Sequence, residues 1–233
     1  MTLRAPIFLA IDCDDLEIAM SWVAATQESV TGFKLGLEFF SAFGSDGVKR
    51  IADLTDAELF LDLKLHDIPN TVAGAIRAMS GLKPRFLTVH ASGGTAMVNA
   101  AVTAGPNIDI AAVTVLTSLS LTDLTDIGFL SAPLESAIRL ATLAVTAGAK
   151  AIICSPLEIS AIKSAVGPDI LIITPGIRPA SSANHDQQRT MDPKSAISAG
   201  ANYLVIGRPI TSAWSEGFDA LRARAATIAG ELI

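Results

Sequence analysis

The run Phe60-Leu61-Asp62-Leu63-Lys64-Leu65-His66-Asp67-Ile68-Pro69 sets two carboxylates and an ammonium into what otherwise reads as a buried β-strand. Burying a charge is costly unless the charge is paired. Ionisable groups spaced this closely within an apolar strand are therefore expected to do chemistry. Strand side chains alternate between faces, so Asp62, Lys64 and His66 are expected on one face and Leu61, Leu63 and Leu65 on the other. A second lysine, Lys34, lies inside another apolar run. Near the far end of the chain, Gly207-Arg208-Pro209 follows Tyr203-Leu204-Val205-Ile206. Glycine lets a backbone come close to an anion, and proline opens the helix that follows. A helix start of this kind, with Arg208 offering a bidentate contact, suits a phosphate. Arg178 and Gln187 lie on a neighbouring polar segment, so together these residues are expected to form a phosphate clamp.

Elements that could hold these groups recur along the whole chain. Apolar runs at 7–11, 32–35, 59–64, 86–90, 110–114, 151–154, 170–174 and 203–206 read as strands. Ala-rich segments with apolar spacing of three and four, at 15–26, 70–79, 96–103, 134–147 and 157–165, read as helices between them. Strands alternating with helices imply parallel βαβ units, and near-continuous apolar strands imply a sheet covered by helices. Eight such units predict an α/β fold, a single (β/α)8 TIM barrel forming one domain over residues 1–233. A doubly wound sheet usually has a Gly-rich turn after its first strand, whereas here Asp12-Cys13-Asp14-Asp15 follows.

In such a barrel the active site lies at the C-terminal ends of the strands. That is where Asp12, Lys34, Asp62, Lys64, Asp67, His90, Thr117, Arg178, Gly207 and Arg208 fall in this reading. Asp14, Ser92 and Ser155 read as helix N-caps. The irregular polar segment 177–190 has the length and composition of a lid.

Composition narrows the function. Hydrophobic residues make up 50% of the 233 residues and charged ones 17%, which suits a large core. The formal charge is −6 and there is no basic block, so nucleic acid is not an expected partner. The run 86–108 is broken by Gly93-Gly94 and Gly105-Pro106 and makes a poor membrane span. Met1 to Pro6 lacks the apolar core of a signal peptide, and Cys13 and Cys154 do not make a disulfide framework. A cytoplasmic location is expected. His66, His90 and His185 are not in a metal-ligand spacing.

Asp62-Leu63-Lys64-Leu65-His66-Asp67-Ile68-Pro69 resembles the signature of the orotidine 5′-phosphate decarboxylase family. The resemblance extends along the chain through Ala10-Ile11-Asp12, Phe33-Lys34-Leu35-Gly36, Thr88-Val89-His90-Ala91 and Val115-Leu116-Thr117-Ser118. It continues in Thr174-Pro175-Gly176-Ile177-Arg178, Asp186-Gln187 and Val205-Ile206-Gly207-Arg208. It implies conversion of orotidine 5′-monophosphate to UMP and carbon dioxide in homodimers with shared active sites, needing neither metal nor organic cofactor. By the same resemblance Lys64 is the proton donor, Asp62 lies beside the departing carboxylate, and Lys34 completes the Lys/Asp network. Asp67 reaches the partner's site. Asp12 and Lys34 meet the ribose, joined across the dimer by Asp67, Ile68 and Thr71. Thr117 borders the pyrimidine, and Arg178, Gln187, Gly207 and Arg208 hold the phosphate. Two other readings stand beside this one. A Mg²⁺-dependent sugar-phosphate decarboxylase or aldolase of the same superfamily would carry a metal-binding Glu where Lys34 stands. A catalytically silent phosphate-binding barrel would be expected to have lost part of the charged set.

Overall fold

The computed structural model describes residues 4–178 and 190–233. Gln187, Asp186, His185 and most of the expected lid lie outside the described residues. The strands are β1 (Ala5–Ile11), β2 (Val30–Gly36), β3 (Glu58–Leu65), β4 (Phe86–His90), β5 (Asp109–Val113), β6 (Ala151–Ile153), β7 (Leu171–Thr174) and β8 (Tyr203–Ile206). They pair in parallel in chain order and close into a barrel, with Ile7, Phe8 and Leu9 registered against Leu204, Val205 and Ile206. Every strand read from the sequence is present.

Helices α1 (Leu16–Thr26), α2 (Leu37–Ala52), α3 (Pro69–Met79), α4 (Gly94–Ala104), α5 (Leu121–Asp126) and α6 (Pro133–Thr146) lie between the strands from β1 to β6. Then come α7 (Ile159–Val166), α8 (Pro193–Ser198), the short α9 (Arg208–Thr211) and α10 (Phe218–Gly230). The architecture is a (β/α)8 barrel.

Alternation along the strands divides the interior into two layers. Ile7, Leu9, Ile11, Phe33, Leu35, Leu61 and Leu63 face outward into the main core, under the helices. Phe8, Phe60, Phe86, Ala111, Ala151 and Ile173 face inward and form a second cluster in the barrel, with Tyr203 packed against it. Phe8, Phe60, Phe86 and Tyr203 meet edge to face with ring centroids 5.3 to 5.8 Å apart, a favoured aromatic geometry. These rings form a solid floor beneath the strand ends.

Three local expectations change. The cap of α1 is Asp15, not Asp14: its Oδ1 accepts from the N–H groups of Glu17 and Ile18 at 2.9 and 3.1 Å. Asp14 lies one residue too early to reach them. Ser92 caps nothing, because α4 starts from Gly93 without a side-chain cap. Ser155 does cap as expected, in a reciprocal arrangement with Glu158. That box opens a 3-10 turn over Pro156–Glu158, and so the helix expected from 157 begins regularly only at Ile159.

Gly32 shows why the floor fits. A Cβ built there would collide with the Glu58 carbonyl oxygen and with the Phe8 ring. The carbonyl belongs to the sheet ladder and cannot move aside. Gly32→Ala is therefore expected to destabilise the fold by about 1–3 kcal/mol or more, read as a lowered denaturant midpoint. An unchanged midpoint would contradict this packing.

Candidate active site

The site grows out of the ends of the first three strands. In β3, Phe60, Asp62 and Lys64 face into the barrel while Leu61 and Leu63 pack outward, as alternation requires. Asp62 sits between two ammonium groups. Its Oδ2 lies 2.8 Å from Lys64 Nζ and 3.5 Å from Lys34 Nζ. Lys34 Nζ in turn lies 3.2 Å from Asp12 Oδ1. The four groups form a chain of alternating charge across β1, β2 and β3.

Burial works against the Lys34 charge, but the carboxylates of Asp62 and Asp12 outweigh it and raise its pKa. Burial likewise opposes ionisation of Asp62. The Lys34 and Lys64 ammoniums, with hydrogen bonds from Lys64 and Thr88, prevail and hold its pKa below the ordinary carboxylate value. Both members of this buried pair are charged at neutral pH. Gly36 makes room for the network, since a Cβ there would stand 2.9 Å from Lys34 Nζ and 3.3 Å from Asp12 Oδ1.

The backbone is unusual at the same place. Lys64 has φ +49, a left-handed conformation that is strained for a residue with a Cβ. The β3–β4 register jumps here: Leu61 pairs with Leu87, but the next pair is Leu65 with Val89. This overturns the expectation that His66 shares the face of Asp62 and Lys64. The irregular backbone at Lys64 ends the alternation, β3 stops at Leu65, and His66 lies outside the pocket. Its ring stands beside His90, centroids 5.5 Å apart. Burial, with help from the neighbouring His66 and Lys64, lowers the His90 pKa and favours the neutral ring.

A cavity of about 250 Å³ opens over the network. Asp12, Lys34, Asp62 and Lys64 line one side of it, Thr117 and Leu116 follow β5, and Arg178, Gly207 and Arg208 come from the ends of β7 and β8. Val113, Ile153 and Val205 supply an apolar wall. A Cβ on Gly207 would stand 3.3 Å from the Ala10 Cβ, so the bare backbone suits that close approach. The Arg178 N–H donates to the Met191 carbonyl at 3.0 Å, and Ile177 bridges to Met191. These contacts fix both described ends of the segment that contains Gln187.

Of the residues expected in the site, Asp12, Lys34, Asp62, Lys64, Thr117, Arg178, Gly207 and Arg208 come together. Asp67, Ile68 and Thr71 do not: they are exposed and outside the cavity, and Asp67 Oδ1 accepts from the Ile68 N–H at 2.6 Å. Gln187 lies outside the described residues. Sequence reasoning missed Thr88, whose hydroxyl lies 3.1 Å from Asp62 Oδ1. The signal available for it was its place two residues after inward-facing Phe86. Cys154 lines the cavity, but burial pushes its thiol pKa far up, which suits a packing role and not a nucleophile.

The ion pairs have a definite pH signature. Lys34, raised, contributes fully below its ordinary 10.5 and loses that contribution as pH climbs through the higher folded value. Asp62, lowered, contributes fully above its ordinary 3.8 and loses it as pH falls through the lower folded value. Between those limits neither group makes stability depend on pH. Asp62→Asn at neutral pH leaves Lys64 without its carboxylate and Lys34 with Asp12 alone, and is expected to cost about 3–5 kcal/mol in a denaturant titration. A variant as stable as the parent would remove the network from the account.

Comparison with known proteins adds a separate line of support. A family model described as "Orotidine 5'-phosphate decarboxylase / HUMPS family" matches residues 5–222. The chain is similar to proteins named orotidine 5′-phosphate decarboxylase. One, from Thermobifida fusca (strain YX), is 50% identical over 99% of this chain and 97% of its own length. Another, from Frankia casuarinae, is 44% identical over 93% of this chain and 85% of its own. A crystal structure of orotidine 5′-phosphate decarboxylase from Lactobacillus acidophilus superposes with a TM-score of 0.83 at 34% identity, covering 98% of this chain and 99% of that one.

Proposed function

The chain belongs to the orotidine 5′-phosphate decarboxylase / HUMPS family, and from that premise we infer a decarboxylation of orotidine 5′-monophosphate in which Lys64 supplies the proton. The product is UMP, and the activity belongs to pyrimidine biosynthesis. The observation that carries the mechanism is the Asp62 carboxylate held between Lys64 and Lys34 within the cavity.

The chemistry follows from the charges. The bond between the ring carbon and the carboxylate breaks, carbon dioxide leaves, and the electron pair stays in an orbital of the ring plane. The ring π-system cannot accept that pair, so it must be stabilised electrostatically. The Lys64 ammonium meets it, transfers a proton to the ring carbon, and is later reprotonated from solvent. Asp62 orients Lys64 and stands beside the departing carboxylate. Lys34 balances Asp62 and, with Asp12, meets the ribose hydroxyls. Thr117 borders the pyrimidine. Arg178, Gly207, Arg208 and Gln187 take the phosphate, whose binding energy is available to the chemical step.

The remaining assignments follow the same reading. The chain acts as one catalytic domain and pairs as a homodimer in which Asp67, Ile68 and Thr71 serve the partner's site. Their exposure in the single chain supports this, and so do Leu37 and Ile68, large apolar side chains 56% and 66% exposed next to the network strands. A cytoplasmic location goes with two free cysteines; among the described residues, no helix is long and apolar enough to cross a membrane. The Mg²⁺-dependent alternative is not favoured, because Lys34 brings a cation to the place a metal-binding Glu would occupy.

Lys64→Ala is expected to abolish decarboxylation, followed as the absorbance fall on adding orotidine 5′-monophosphate, while still binding UMP. Appreciable residual turnover would remove Lys64 as proton donor. Arg208→Ala is expected to lower kcat/KM strongly without changing the melting temperature. Mixing inactive Lys64→Ala with inactive Asp67→Ala chains is expected to restore activity, since a mixed dimer holds one intact shared site. Failure to complement would place Asp67 outside the partner's site.

A further inference from the structure

We propose that Thr88 is a positioning residue that couples the backbone of Lys64 to the carboxylate of Asp62. The inference rests on the reading of Lys64 as proton donor. Thr88 is fully buried in β4, facing inward beside β3. Its Oγ1 accepts the Lys64 backbone N–H at 2.8 Å and lies 3.1 Å from Asp62 Oδ1. A hydroxyl has one proton to give. With the Lys64 N–H already donating to this oxygen, the Thr88 proton is directed to Asp62.

The two contacts act on the same problem from opposite sides. The left-handed φ of Lys64 coincides with the register jump, where β3 has extra residues against β4. The Lys64 N–H is donated to the Thr88 hydroxyl, and without it a strained backbone would also lose a hydrogen bond. The second contact sorts the Asp62 oxygens. Oδ1 accepts from a neutral hydroxyl, which leaves Oδ2 for both ammoniums, at 2.8 and 3.5 Å. The plane of the carboxylate is thereby set, and with it the direction of the Lys64 Nζ–H bonds. Small errors in such geometry cost rate more than binding.

The test compares Thr88→Val, which keeps shape and loses the hydroxyl, with Thr88→Ser, which keeps the hydroxyl. Both are made in the full chain and assayed for kcat, KM, UMP binding and melting temperature. Thr88→Val is expected to lower kcat by about 10- to 100-fold with little change in KM or UMP affinity, and Thr88→Ser to recover most of the rate. Thr88→Ala gives the same reading if the valine variant fails to accumulate. Parent-like kcat in a hydroxyl-free variant overturns the proposal. So does a serine variant as slow as valine with the same loss of melting temperature, which would make the residue a packing element only. If Lys64→Ala remains active, the proton-donor reading itself fails. If Lys64→Ala is inactive while Thr88→Val is fast, only the positioning role is lost.

Discussion

A single carboxylate placed between two ammonium groups is the constraint around which the structure is arranged. Burial opposes the Asp62 charge and Lys34 and Lys64 offset it, while Asp62 and Asp12 do the same for Lys34 at its depth. Each group removes part of the desolvation penalty of the next. The barrel meets this requirement by bringing the ends of β1, β2 and β3 side by side and by leaving Gly36 without a side chain. A sheet in which these strands were not consecutive neighbours would leave at least one of the charges unpaired.

Around that centre, the remaining strands divide the work. Carboxylates and ammoniums are concentrated at the ends of β1 to β3, guanidinium groups on the turns after β7 and β8, and the apolar wall comes mostly from β5, β6 and β8. The division gives the cavity a charged side and an apolar one. In the proposed reading, such a layout separates binding energy from bond breaking. Arg208 is exposed at the end of β8, whereas Arg178 is buried and Lys34 lies buried against two carboxylates.

The barrel was readable because each strand is a short, nearly continuous apolar run, and a strand covered on both faces leaves that trace. Asp62 and Lys64 were readable because charge interrupts the run at a spacing of two. His66 was misplaced by the same rule: the left-handed turn at Lys64 arises from strand register, which no local pattern reports. Thr88 escaped notice for a related reason. A threonine in a strand is ordinary, and its importance depends on which hydroxyl faces which backbone across β3 and β4. Asp67, Ile68 and Thr71 belong to a different case: the resemblance assigns them to a partner's site, and in the single chain they are exposed and outside the cavity.

The aromatic floor of Phe8, Phe60, Phe86 and Tyr203 carries a further consequence. Among the described residues, the interlocked rings plug the barrel interior beneath the cavity and leave it no way out through them. Anything that enters or leaves the cavity must then pass by the strand-end side, where the charged groups stand. Turnover in this barrel is therefore a matter of traffic past that charged end as well as of chemistry behind it.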